Sequence, residues 1–358
     1  MPTDPQTAPP SGALPGALPG ALMEAEAREA PAAAARQLER LGGGLSALAA
    51  RLRASEPSVV VTCARGSSDH AATYGKYLIE THLGVPVASM GPSVVSLYDA
   101  PLRLKGALFL AVSQSGRSPD LLRLADRARE AGAVTVALVN DEASPLAASC
   151  EHVLPLCAGP ERSVAATKSY LMACLALLQL TAAWKGDRCL QGVASCLPDW
   201  LERAAAQDWR PALSGLSAAT GLYVVGRGLG LGAALELALK CKETSRLHAE
   251  AFSGAELIHG PLALAGPGFP ALLLGQDDAT RAGMRQVAER LVGLGAPVLC
   301  TEPDIAGAVP LPVQADLPPE AAPLAQALSF YLAVPEVARA RGLDPDRPGN
   351  LRKVTETL

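Results

Sequence analysis

Short runs of β-branched and aliphatic residues alternate with longer helical segments along this chain, and the alternation occurs twice. Strands separated by helices pair in parallel, with the crossover helices covering the faces of the sheet. The first series comprises SVVVTCA (58–64), VPVAS (85–89), ALFLAVS (107–113), AVTVALV (133–139) and HVLPLC (152–157), closed by an apolar helix over about 166–184. The segment QDWRP at 207–211 marks a boundary, after which GLYVVGR (221–227), FPALLLG (269–275), APVLC (296–300) and the weaker PLPVQA (310–315) repeat the rhythm. Helices are expected over 232–247, 279–294 and 321–340. The pattern predicts an α/β fold of two tandem subdomains, each a three-layer α/β/α sandwich with a mainly parallel sheet, consistent with an internal duplication. We divide the chain into a disordered Pro/Gly-rich leader (1–21), a helical segment with the first subdomain (22–205), a second subdomain (206–341) and a tail (342–358). Helical character begins near residue 22, restarts at Pro31, and is expected to reach only the glycine run at 42–44.

The 358 residues suit two domains of ordinary size. With 31 basic and 35 acidic residues, the net charge of -4 gives no basic field for nucleic acid or an anionic membrane surface. The most apolar stretch, Leu171 to Trp184, is too short to span a bilayer, and the opening MPTDPQ lacks the basic region of a secretory signal, so a cytoplasmic protein is expected. Eight cysteines are scattered without a CxxC pair and read as free thiols.

Two loops could cradle an anion. RGSSDH (65–70) and SQSGRS (113–118) each follow a strand and precede a helix, so small residues, hydroxyls and amides would meet at strand carboxyl ends. Ser67, Ser68, Ser113, Gln114, Ser115 and Ser118 are the candidate phosphate ligands, although a serine-rich turn also serves as a plain helix cap. GRGLG (226–230) lacks the spacing of a dinucleotide fingerprint and reads as a packing turn.

Proton-transfer groups lie in the second half. Glu236, Lys240 and Glu243 share a helix face, which an ordinary salt-bridge ladder would also produce. His248, Glu250, Glu256 and His259 follow among small residues, and the turn at His259 favours chemistry over core packing. No HExxH and no clustered carboxylate–histidine spacing supports a metal, so neither metal nor cofactor is expected.

Taken in order, SQSG, the AGPE…VAATK segment (158–168), ALKCKE, HAEAFSGAELIHGPLAL and the tail DRPGNLRKVTE resemble the sugar isomerase (SIS) family. The likeness is greatest to the isomerase half of glutamine:fructose-6-phosphate amidotransferase and runs from about residue 22 to the C-terminus. It implies that Ser68, Ser113, Gln114, Ser115 and Ser118 hold a sugar phosphate, with Thr167 nearby. It further implies that Glu243 moves the proton between sugar carbons, with Lys240 one turn before it, and that His259 opens the ring from a partner subunit of a homodimer. Lys353 is the implied tail lysine that closes over the sugar. Two departures stand out: Ala166 replaces a serine, and Arg117 replaces a glutamate. Since only a short leader precedes the first subdomain, the expected activity is that of a stand-alone glucosamine-6-phosphate deaminase acting on a phosphorylated aminosugar. A phosphosugar isomerase or deglycase is the alternative. A sugar-phosphate sensor is disfavoured because Glu243 and His259 are retained and no DNA-binding module is evident.

Overall fold

The computed structural model describes residues 18–351 and Lys353. The expected leader therefore lies outside the described residues up to position 17, as do Arg352 and residues 354–358 of the tail. From the N-terminus the elements are α1 (Ala21–Arg28), α2 (Ala30–Ser55), β1 (Val60–Cys63), α3 (Ser67–Leu83), β2 (Val87–Ser89), α4 (Ser93–Ser96), β3 (Leu108–Ser113), α5 (Pro119–Glu130), β4 (Val134–Val139), α6 (Pro145–Ser149), β5 (His152–Pro155), α7 (Lys168–Lys185) and α8 (Arg188–Ala205). The second series runs α9 (Arg210–Leu213), β6 (Gly221–Gly226), α10 (Gly230–Ser245), β7 (His248–Ser253), α11 (Gly254–Leu257), β8 (Ala271–Leu273), α12 (Arg281–Gly293), β9 (Val298–Cys300), β10 (Val309–Pro310) and α13 (Ala322–Ala340).

Both five-stranded sheets are parallel throughout. Their orders are β2-β1-β3-β4-β5 and, from the corresponding edge, β7-β6-β8-β9-β10. Each therefore places its second strand at one edge, then its first, third, fourth and fifth. The two halves have one topology, and each reverses winding direction between its first and third strands.

Strand alternation divides the core. Leu108, Leu110 and Val112 of β3 face a large cluster shared by both halves, whereas Phe109 and Ala111 face a second cluster under α5 and α6. A third cluster lies between the second sheet and α12. Helices α2, α3, α7, α10 and α13 fill the space between the sheets, and α7 is buried on nearly every side. α3 and α10 cross at Gly232, where an added Cβ would stand 2.7 Å from the His70 carbonyl oxygen and 2.9 Å from the Tyr74 nitrogen. Only a residue without a Cβ permits that approach.

Two expectations about element ends are corrected. α2 runs through Gly42–Gly44 to Ser55 because Leu41, Leu45, Leu48 and Leu52 are buried along one face, while the glycines lie on the open side with nothing near their missing side chains. Burial of four leucines outweighs a cost of roughly 1 kcal/mol per glycine. The expected strand 310–315 shrinks to the pair Val309–Pro310, since Pro310 and Pro312 cannot donate to a ladder. The tail is tied back to the start of the chain: the Asp346 carboxylate accepts the backbone N–H groups of Leu22 (3.0 Å) and Met23 (2.9 Å), capping α1. Among the described residues no helix is long and apolar enough to cross a membrane.

Candidate active site

At the carboxyl ends of β1 and β3 a cavity of about 370 Å³ opens between the two serine loops. The β1–α3 loop turns at Gly66, whose φ of +54° suits glycine, and delivers Ser67 and Ser68 into the first turn of α3. The β3–α5 loop turns at Gly116 (φ +62°), whose N–H donates to the Ser113 hydroxyl at 3.1 Å. A side chain at Gly116 would collide with Ser144. Ser67, Ser68, Ser113, Gln114, Ser115 and Ser118 all line this one cavity.

Arg65 borders it too, its guanidinium held by the buried Asp120 carboxylate at 2.5 Å. Arg117 lies on the same loop but pairs with Asp141 at 2.8 Å. Ala166 is in the lining, without a hydroxyl to offer.

Glu243, in the last turn of α10, brings a carboxylate to the opposite wall. Lys240, fully buried one turn earlier, touches it at 2.6 Å and also donates to the Ser67 hydroxyl at 3.0 Å. Behind Lys240 lies Glu236, likewise fully buried, 3.2 Å from the ammonium. Glu236 accepts from Tyr331 at 3.0 Å and meets His70 Nδ1 at 2.9 Å. Burial pushes the Glu236 carboxyl upward, but the Lys240 charge and the His70 contact outweigh it and bring it down to about 2. Burial works against the Lys240 ammonium as well, yet Glu236 and Glu243 hold its pKa above the usual lysine value. The Glu236–Lys240–Glu243 face is thus more than a surface ladder: it is a buried charge row ending at the cavity.

Glu161, not singled out from the sequence, forms a second buried charge. It accepts the Thr167 and Ser169 N–H groups at 3.0 and 3.1 Å, the Ser169 hydroxyl at 2.7 Å and the Lys353 ammonium at 2.9 Å. Burial favours its neutral form, but Lys353 and the Ser169 hydroxyl reverse that and lower its pKa. Lys353 thereby reaches the cavity wall from the tail.

Two expected residues are placed elsewhere. Thr167 is fully buried and outside the lining; its backbone serves Glu161, and its hydroxyl has no partner among the described residues. Ser169 takes the wall position instead. His259 sits at an exposed turn after α11 and does not line the cavity of its own chain. His248, Glu250 and Glu256 are also exposed and outside that lining.

A family model described as SIS domain matches residues 55–183 and 215–301. A glutamine–fructose-6-phosphate aminotransferase (isomerizing) of Symbiobacterium thermophilum is 36% identical over 335 residues, covering 87% of this chain and 53% of that protein. Its counterpart in Methanothermobacter thermautotrophicus is 33% identical over 301 residues, 80% of this chain and 50% of that one. The chain thus spans about half the length of the curated relatives it matches. A crystal structure from Silicibacter pomeroyi, provisionally described as a phosphosugar isomerase, superposes with a TM-score of 0.87 at 43% identity, covering 92% of this chain and all of that one. A glucosamine-6-phosphate deaminase from Thermotoga maritima shares the fold (TM-score 0.71, 22% identity), covering 91% of this chain and all of that one.

Proposed function

The chain belongs to the SIS domain family, and from that premise we propose that it is a phosphosugar-transforming enzyme whose substrate is glucosamine 6-phosphate, converted with water to fructose 6-phosphate and ammonia. The observation that carries this reading is the Glu243 carboxylate, held by Lys240, opening onto the same cavity as the two serine loops. Two relatives that are 33–36% identical are named for fructose 6-phosphate and amino transfer, which supports a substrate of this class.

The loop hydroxyls and amides anchor the phosphate, so that binding energy remote from the reacting carbons orients C1 and C2 against Glu243. In the open-chain sugar the C1 carbonyl acidifies the C2 proton. Glu243 removes it, giving an enolamine, and returns it at C1 to leave a C2 imine. Water adds at C2 and ammonia departs, leaving the ketose phosphate. Lys240 and Lys353 stand where positive charge steadies the developing oxyanion. Ring opening is assigned to His259 of a second copy in a homodimer, in keeping with its exposed position outside its own cavity.

The test is ammonia and fructose 6-phosphate formation from glucosamine 6-phosphate, with Glu243→Gln as control. Equal yields of both products, reduced roughly 10²–10⁴-fold in the variant, support the reading. No turnover by folded protein at saturating substrate refutes it. The 43% identity to a structure described as a phosphosugar isomerase favours one second reading, aldose–ketose isomerisation of an unaminated sugar phosphate by the same base. Ketose formation without ammonia from a panel of aldose phosphates would select it.

A further inference from the structure

The shared topology of the two sheets makes a prediction about space: wherever the first half builds a cavity, the second half should build its counterpart. It does. A second cavity, of about 560 Å³, lies at the carboxyl ends of β6 and β8, the winding switch of the second sheet. Its parts correspond to those of the first cavity. Arg65-Gly66 follows β1 with Gly66 at φ +54°, and Arg227-Gly228 follows β6 with Gly228 at φ +58°. Each pair opens a long helix, and the two helices cross at Gly232. Glu243 of α10 enters the first cavity sixteen residues after Arg227, and Thr81 of α3 lines the second sixteen residues after Arg65. The loop before α7 supplies Glu161 to the first, and the loop before α13 supplies Glu320 to the second.

What fills the corresponding positions differs in chemistry. The serine loop is replaced after β8 by Gln276-Asp277-Asp278, and at the position that corresponds to Glu243 the carboxylate is replaced by the Thr81 hydroxyl. The second cavity retains a cation. Arg227 is half-buried in the lining, and its side chain makes no hydrogen bond or ion pair among the described residues, unlike its counterpart Arg65. Asp278, Thr280, Ser253 and Glu320 share this lining. The site is built rather than incidental: the Gln276 amide joins the two loops by donating to the Arg227 carbonyl (2.8 Å) and to Asp278 Oδ2 (3.0 Å). Asp278 Oδ1 accepts both the N–H and the hydroxyl of Thr280 (2.7 and 2.5 Å), and His82 stands 3.4 Å from Glu320.

We propose that this second cavity is a non-catalytic binding site for a phosphorylated aminosugar, with the phosphate on Arg227 and the amine and hydroxyls on Asp278 and Glu320. A guanidinium without a partner among the described residues, sharing a cavity with two carboxylates, matches a ligand that carries both an anion and an amine. The ligand class rests on the proposed function; the existence of the cavity does not.

The experiment is calorimetric titration of the full chain carrying Glu243→Gln, which suppresses turnover, with glucosamine 6-phosphate. Two equivalents per chain are expected. Adding Arg227→Ala should weaken one of them roughly tenfold or more, in line with loss of a charge-assisted contact, and Arg227→Lys should restore part of it. Adding Ser115→Ala should weaken the other. Unchanged thermal midpoints would show that the variants remain folded. A single equivalent, sensitive to Ser115→Ala and indifferent to Arg227→Ala, overturns the second site and leaves the proposed function standing. A single equivalent with the opposite sensitivities keeps the second site and overturns the assignment of the first. No binding at millimolar ligand overturns both.

Discussion

Glu236 has no route to the substrate, so its replacement probes the buried charge row directly. Its carboxyl moves from 4.5 to about 2 on folding. At about 1.4 kcal/mol per tenfold change in proton affinity, the ionised form contributes about 3 kcal/mol at pH 7. The unfolded chain binds the proton more tightly, so this contribution is complete well above pH 4.5 and is lost as pH falls from there towards 2. Integrating between the two states, about 1 kcal/mol is gone by pH 4. Glu236→Gln keeps the shape but strips Lys240 of one of its two carboxylates and deprives Tyr331 of its charged acceptor. The variant should therefore be about 3 kcal/mol less stable in urea at pH 7, and the gap should narrow at pH 4. Urea midpoints for both proteins at both pH values measure it. A variant as stable as the parent at pH 7, or a gap that widens in acid, would refute the reasoning.

Three further outcomes follow from the geometry. Gly232→Ala forces a methyl group against the α3 backbone, and should cost about 1–3 kcal/mol in thermal or urea unfolding and lower kcat by shifting Glu243. Lys353→Ala leaves the buried Glu161 carboxylate without its ammonium partner, so loss of sugar-phosphate turnover should come with acid unfolding at a higher pH than in the parent, read as fluorescence against pH. In the native protein the exposed Cys189 and Cys196 should alkylate rapidly, whereas Cys63, whose thiol burial pushes up to about 12, should stay unmodified; peptide mass mapping after brief treatment decides it.

Most of the fold was legible because a buried parallel strand needs a run such as ALFLAVS and a crossover helix needs length, both local properties; β7, whose HAEAFS is no such run, was not expected. The serine loops were legible for the same reason, since each sits next to its own strand and helix. Long-range pairing hid the rest. Glu161 gains its importance from Lys353, 192 positions away, and His70 from Glu236, 166 positions away. GRGLG read as a packing turn because a glycine loop carries no mark of the cavity that its neighbours build around it. The glycine run inside α2 misled because local propensity was weighed without the leucine stripe that pins the other face.

The crossing of α3 and α10 has a consequence for how this chain can vary. α10 begins beside one cavity, at Leu229, and ends beside the other, at Glu243, while α3 does the same in the opposite sense from Ser67 to Thr81. One residue added or removed within either span would rotate the far end by about 100° and advance or retract it by about 1.5 Å, carrying the terminal side chain off its wall. Substitutions along these two helices leave both ends in place, whereas changes in their length do not. Related chains should show no gaps between positions 67 and 81 or between 230 and 243, and length changes instead in segments that border neither cavity, such as the one that joins α4 to β3.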